Sequence, residues 1–420
     1  MIKFFKILVA GLFCSFFLFP IDISGWPINS KMTLAVVGLM LFVFNKIRDK
    51  NSSINSDFVW ISLIALGVSA IAQLATIYNH TPVKEYTDYI MSFWVWMGAA
   101  YAVVQIIKSV HGEVTVPLIC NYLIGVGVFQ CVTAYAIVIS PAVQSLVDSI
   151  LAVDYAWSGR LYGLGAFVDP SGLRFAAILI IIAARMTQTL TDVRASILYI
   201  LAFFIIGSIG NMISRTTTMG IILGVGYMIV DFIVNYQARS ANAGSLGIIL
   251  ILSSIFVLFT VYLYNSNEVF HKNFRFGFEG FFSYFERGQF QTGSTDVLKT
   301  MYIFPDDLKT WLIGDGYFAN PGSDPNYLGR IRGGYYMGTD VGYLRFIFFF
   351  GIFGLVLMIS MFVKATSTCI KYLSEYKLLF VFLLLSNFVG WFKVCSDIIM
   401  VFALFLVLAY QGVDETNEIV

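Results

Sequence analysis

The sequence predicts an all-α polytopic membrane protein, with residues 1–420 forming a single integral membrane domain. Three observations lead there. Hydrophobic residues make up 58% of the chain and charged residues only 12%, and the mean hydropathy is +0.81, which excludes an ordinary soluble enzyme. Apolar runs recur at lengths of about 17–25 residues, the length a helix needs to cross hydrocarbon. One long stretch, residues 265–341, interrupts them and is polar, arginine-bearing and aromatic.

Taken in order, the first span is expected over 4–20. MIKFFKILVAGLFCSFFLFP has the outline of a secretory signal, but it lacks a small-x-small cleavage site and further spans follow, so it reads as a helix. Spans are then expected at 31–45, 58–78, 89–107 and 114–140. A polar connection at 141–172 precedes 173–187, 195–213, 216–234 and 246–264. Beyond the 265–341 loop lie 342–363, 378–392 and 396–411, which brings the expected total to about twelve. Lys and Arg set the orientation. With the N-terminus inside, the inside connections hold Lys3, Lys6, Lys46, Arg48, Lys50, Lys108, Arg185, Arg194, Arg239, Lys364, Lys371 and Lys377. The short outside connections hold only Lys31, Lys84, Arg160, Arg174, Arg215 and Lys393. Both termini are therefore expected in the cytoplasm, with 141–172 and 265–341 as extracytoplasmic loops.

Several chemistries find no footing. A net charge of +1 gives no argument for nucleic acid. The five cysteines are scattered, mostly inside apolar runs, and read as small packing residues. His80, His111 and His271 lie too far apart in sequence to suggest a metal cluster. The linkers RDKNSSINSD and QARSANAG leave no room for a nucleotide-binding domain, and no Walker A pattern occurs. The expected span centres carry almost no charge, unlike an ion or proton pathway. Their amides, Gln73, Gln105, Asn121 and Gln130, read as interhelical hydrogen-bonding groups.

Ionisable groups gather instead in three outside connections. The run GRLYGLGAFVDPSGLRFA carries Arg160, Asp169 and Arg174; Asp169 reads either as a helix N-cap or as a substrate contact. In NMISRTTTMG two spans meet almost directly, holding Arg215 at the edge of the hydrocarbon. There a guanidinium either snorkels to lipid phosphate or clamps a pyrophosphate bidentately. The long loop adds Arg275, Arg287, Arg330, Arg332, Asp340 and a series of aromatics ending at Tyr343. Those aromatics suit either stacking on sugar rings or an interfacial belt.

RLYGLGAFVDPSGLRFA, SRTTTMG, WLIGDGYF and GTDVGYLRFIFFFGIFGLVL occur in this order over roughly residues 160–360. With the large loop before the tenth span, they make the chain resemble the bacterial O-antigen polymerase and O-antigen ligase superfamily. The resemblance implies a metal-independent glycosyltransferase of the C type that uses no cofactor. Its substrate would be an undecaprenyl-pyrophosphate-linked oligosaccharide on the outer face of the bacterial cytoplasmic (inner) membrane. Membrane lipids, a chain-length regulator and a flippase are the implied partners. Arg215 matches the arginine expected to bind lipid pyrophosphate, and either Arg275 or Arg287 matches a second one early in the loop. Arg160, Asp169, Arg174, Arg330, Arg332 and Tyr343 become candidate substrate contacts. Where ligases of this superfamily carry a histidine, this chain has YYMGTDVGYL, making Asp340 the candidate base. The departure favours a polymerase of repeat units for O-antigen, capsule or exopolysaccharide over a ligase acting on lipid A-core. A flippase or secondary transporter is the rival of a different class.

Overall fold

A computed structural model describes residues 2–48, 55–152, 159–235, 243–321 and 334–417. Seventeen helices are labelled here: α1 Ile2–Leu18, α2 Ser30–Arg48, α3 Ser56–Tyr78, α4 Tyr89–His111, α5 Val116–Ile139, α6 Pro141–Ile150 and α7 Val168–Gln188. They continue with α8 Val193–Ile213, whose Ile206–Gly210 turn is π-helical, and α9 Thr217–Val234. Then come α10 Ala243–Ser266, α11 Glu268–Gly277, α12 Glu279–Arg287, α13 Gly293–Thr300 and α14 Leu308–Leu312. The last three are α15 Gly342–Tyr372, α16 Lys377–Gly390 and α17 Ile399–Asn417. Two isolated β-bridges and the short 3-10 turns Tyr336–Gly338 and Ser374–Tyr376 accompany them among the described residues.

Eight described helices are long and apolar enough to cross a bilayer: α2, α3, α4, α5, α7, α8, α9 and α15. Shorter apolar helical stretches lie at Ser254–Ser266 and Ile399–Tyr410, and α1 and α16 have 17 and 14 residues. The chain is a multi-pass membrane protein. Each expected span coincides with a helix, although α7 begins at Val168, five residues before the expected 173, because Asp169, Pro170 and Ser171 form its polar first turn. Residues 141–150 of the expected loop are also helical.

Between membrane helices of equal apolarity, association relies on close packing of small residues. α9 packs on α7, and a β-carbon at Gly220 would strike the Ala176 backbone. α2 packs on α4 where Gly38 lies directly against the Gly98 carbonyl. Two of the four amides act as expected: Gln130 Nε2 donates to Ser15 Oγ (2.9 Å), joining α5 to α1, and Asn121 Oδ1 accepts from the Tyr199 hydroxyl (2.8 Å).

The 265–341 loop is largely helical where it is described. Asn267, Thr292 and Asp307 cap α11, α13 and α14 by accepting the amides of Phe270, Thr295 and Thr310. The WLIGDGYF segment does not stand over the membrane helices; it completes one of them. α15 breaks at Phe350 and Gly351, where Gly351 has φ 68°, a conformation open to glycine at little cost. The break frees main-chain carbonyls that hydrocarbon cannot satisfy. The amides of Asp315 and Gly316 donate to the Phe348 and Phe349 carbonyls at 2.6 and 3.0 Å. Asp315's carboxylate then accepts from Lys309 Nζ (2.8 Å), Thr310 Oγ1 (2.7 Å) and the Tyr336 hydroxyl (3.0 Å). Asn79 and Thr81 donate to the Gly314 and Gly316 carbonyls, tying the same turn to the end of α3.

Candidate functional site

The site forms where α8 ends and α9 begins. Ser214 is extended (φ −149°, ψ 125°), so the chain turns there and presents Arg215 sideways. The last carbonyls of a helix lack intrahelical partners, and those of α11 find theirs at this break. Asn211 Nδ2 donates to the Gly277 carbonyl (3.0 Å) and Arg215 Nε to the Phe276 carbonyl (3.1 Å). Arg215 Nη1 donates to Ser294 Oγ (3.0 Å), and Nη2 meets Glu279 Oε2 at 2.7 Å. One arginine thereby gathers α11, α12 and α13 onto the helix break.

A second guanidinium joins it. Arg215 lies 4.2 Å and Arg160 5.5 Å from the centre of the same Phe276 ring, each favoured by the ring quadrupole. Arg215's side chain is 16% exposed, and burial weakens its hold on the proton; Glu279 opposes this and Arg160 adds to it. Glu279 and Asp169 both act electrostatically on Arg215 from the carboxylate side.

Behind Arg215 lies Asp169, in the first turn of α7, where a carboxylate also complements the helix dipole. Its Oδ1 accepts from Ser214 Oγ (2.7 Å), Thr216 Oγ1 (2.8 Å) and Lys393 Nζ (3.0 Å). It makes no capping bond to a backbone amide; Ser171 Oγ instead accepts the Phe167 amide at 2.7 Å. Gly172 permits this arrangement, since a β-carbon there would press on Ser214 and Thr216. Lys393 comes from the turn between α16 and α17 and also donates to Thr216 Oγ1 (2.7 Å).

Asp340 is 17% exposed and paired with Arg345 Nη1 at 3.0 Å. Burial pushes its carboxyl up to about 6; Arg345 and Lys393 pull down and Asp169's charge pushes up. It is therefore ionised at neutral pH yet basic enough to take a proton. Arg345 is locked by the Phe318 carbonyl (3.0 Å) and lies 3.7 and 4.9 Å from the Phe318 and Tyr335 ring centres.

The remaining candidates lie elsewhere. Arg275 is 45% exposed and pairs with Glu286 at 2.7 Å. With Arg287 it lines a separate polar cavity of about 240 Å³ between α12 and α13, which shares Glu279 with the Arg215 group and touches it again through Thr292 and Ser294. Arg174 lies 5.7 Å from the ring centre of Phe19, just past the end of α1. Tyr343's hydroxyl donates to the Phe388 carbonyl at 2.9 Å, and its ring packs against Trp391 and Phe392. Arg330 and Arg332 fall outside the described residues. Tyr317 and Tyr336 stack on each other, buried beside Val341, Leu344 and Phe348. His271 stacks on Tyr264 at 4.1 Å.

Three site residues escaped the sequence reading. Glu279 and Arg345 were visible only as charges among aromatics, and Lys393 only as one outside cation. A lysine between two short apolar runs and an arginine inside GYLRFIFFF were the available signals, because charge in such places needs a partner. Among the described residues no three His, Cys, Asp or Glu side chains gather. The groups that could engage a ligand are guanidiniums, an ammonium, hydroxyls and carboxylates.

An apolar gap of about 430 Å³ lies between α8, α9, α10 and the loop helices α11 and α12. Phe203, Gly207, Ile221 and Val261 line it from the membrane side and Phe274 and Phe278 from the loop side. Phe274 and Phe278 stack on each other one turn apart, on the face of the helix away from Phe276. Comparison of the chain with known protein families, with curated proteins and with solved structures finds no match in any of the three.

Proposed function

We propose that this protein is a membrane glycosyltransferase that polymerises undecaprenyl-pyrophosphate-linked oligosaccharide repeat units. The observation carrying the proposal is the meeting of Arg215 and Arg160 at Phe276, where two helix ends and the loop come together. In this reading Arg215 and Arg160 hold the phosphates and the apolar gap between α8, α9 and α10 takes the lipid. In this reading the fold is a twelve-span, C-type architecture in the bacterial inner membrane. Both termini are cytoplasmic and the site opens on the outer face, as the Lys and Arg bias favours.

The reaction breaks the bond from the donor sugar's anomeric carbon to the pyrophosphate oxygen, and the electron pair leaves with the pyrophosphate. Arg215 and Arg160, in a partly desolvated setting, stabilise that growing charge. An acceptor hydroxyl of a second lipid-linked unit attacks the same carbon as Asp340 takes its proton. Arg345 fixes Asp340, while Asp169 and Lys393 fix the turn that carries Arg215. Glu279 holds the Arg215 guanidinium until a phosphate displaces it.

The test is synthesis by the purified protein in liposomes supplied only with undecaprenyl-pyrophosphate oligosaccharide. Polymer in the absence of lipid A-core supports the reading. A requirement for lipid A-core would replace polymerase by ligase, and lipid movement without bond formation would replace both by a flippase.

A further inference from the structure

The loop helices α11 and α12 are fastened to the loop end of α10 through one residue, Tyr264. Its ring stacks on Phe282 of α12 with the centres 5.5 Å apart, and on His271 of α11 at 4.1 Å. Its hydroxyl accepts from Arg275 Nη1 at 3.4 Å. The turns of α10 that lead to Tyr264 are apolar, and they leave Ile255, Leu258, Phe259 and Tyr262 exposed. On a helix of a multi-pass membrane protein, such side chains face lipid.

α12 is amphipathic, and its contacts fix the direction of each flank. Glu279, Ser283 and Glu286 recur at helical spacing on one flank. Glu279 pairs with Arg215, and all three line the polar cavity toward α13, so this flank faces the protein. Phe282 lies beside them, against Tyr264 and the apolar gap. Phe281 and Phe285, one turn apart, form the flank on the other side of Phe282. That flank faces away from the protein, and Phe285 is 83% exposed.

The depth of α12 follows from the gap. It runs from Phe203, halfway along α8, to Phe278 and Phe282, so Phe282 borders a space that begins inside the span of a membrane helix. The lipid-facing side of α10 therefore continues, through Tyr264 and Phe282, into the aromatic flank of α12.

We propose that Phe281 and Phe285 lie in the membrane surface, among the glycerol and upper acyl groups of the lipid, and hold the loop there. Aromatic residues favour that boundary, and an amphipathic helix lies in its plane. Lys272, Arg275 and Arg287 balance Glu268, Glu279 and Glu286 on the two helices, so the attachment rests on apolar surface and a zwitterionic lipid is a sufficient probe. Continuity with α10 selects lipid over a protein partner. The proposal is independent of the glycosyl-transfer reading.

The test is a fluorescence depth measurement on the full-length protein in phosphatidylcholine liposomes. Phe285→Cys is labelled with nitrobenzoxadiazole; the native cysteines are buried or half-buried, and wild type gives the background. Labels at Phe259→Cys on α10 and at Lys299→Cys, exposed on α13, report lipid and water. The Phe285→Cys label should emit to the blue of the Lys299→Cys label. A nitroxide near the glycerol end of the acyl chain should quench it more than one near the methyl end, as expected about 5–10 Å into the boundary. Emission and lipid quenching equal to those of the Lys299→Cys label would overturn the proposal and leave the flank to a soluble partner. Quenching strongest near the methyl end would overturn it too, by placing the flank inside the hydrocarbon. If Phe285→Cys does not fold, Phe281→Cys on the same flank is judged by the same outcomes.

Discussion

Lys393 meets Asp169 at 3.0 Å although 224 residues separate them in the chain. This contact links the turn between α16 and α17 to the first turn of α7, and both share the hydroxyl of Thr216 next to Arg215. Asp169→Asn should leave Lys393 without its counter-charge and loosen the Arg215 turn. With 24% and 29% exposure of the partners, screening keeps the expected loss of stability to about 1–2 kcal/mol. Thermal unfolding in detergent measures it. In a double-mutant cycle with Lys393→Gln, the double variant should lose less than the sum of the singles; strict additivity would show the pair to be inert.

Asp340 supplies the pH dependence. Its carboxyl is held near 6 rather than at the ordinary carboxylate value of about 4, and a base must be ionised to work. Polymer formation should therefore fall as the pH drops through about 6 and level off above it. Asp340→Asn should lower the rate by about 10²–10⁴-fold and flatten that limb. A variant that keeps the wild-type limb would assign the titration to another group.

Gly351 tests the docking of the loop into α15. Its positive φ and its contact with the Leu312 carbonyl mean that Gly351→Ala both strains the backbone and displaces α14. A loss of about 1–3 kcal/mol or more is expected, read as a lower unfolding temperature with faster proteolysis of the loop. Gly112→Ala also introduces a side chain at positive φ, but meets nothing within 4 Å; it should cost less and leave loop proteolysis unchanged.

Arg275 distinguishes the two kinds of loop arginine. It is exposed and its partner Glu286 belongs to α12, so Arg275→Ala should change turnover by less than about threefold, as expected of a surface pair. A loss as large as that of Arg215 would move the anion site into the neighbouring polar cavity.

Much of the fold was legible because hydrocarbon imposes a length and a composition on every crossing helix. Each expected apolar run is helical, and the misplaced start of α7 reflects a boundary set by Asp169, Pro170 and Ser171 rather than by hydropathy. The site was legible in part. Arg215 announced itself by standing between two nearly contiguous spans. The choice between Arg275 and Arg287 stayed open because a salt bridge eleven residues away, to Glu286, carries no local signature. Arg345 was concealed inside an apolar run, and only the folded chain brings Phe318, Tyr335 and Asp340 around it. WLIGDGYF stands out in the sequence only as a short motif, since the use of its turn depends on a break in α15 more than thirty residues downstream.

The central claim is that Arg215, with Arg160 beside it, holds the pyrophosphate of a lipid-linked glycan while the sugar is transferred. Its most direct measurement is polymer synthesis by wild-type and Arg215→Ala protein in liposomes containing undecaprenyl-pyrophosphate oligosaccharide as the only glycan. The account predicts polymer from wild type and a loss of about 10²–10³-fold for Arg215→Ala, with both proteins unfolding at similar temperatures. Undiminished polymer from Arg215→Ala, or none from folded wild-type protein, would contradict it.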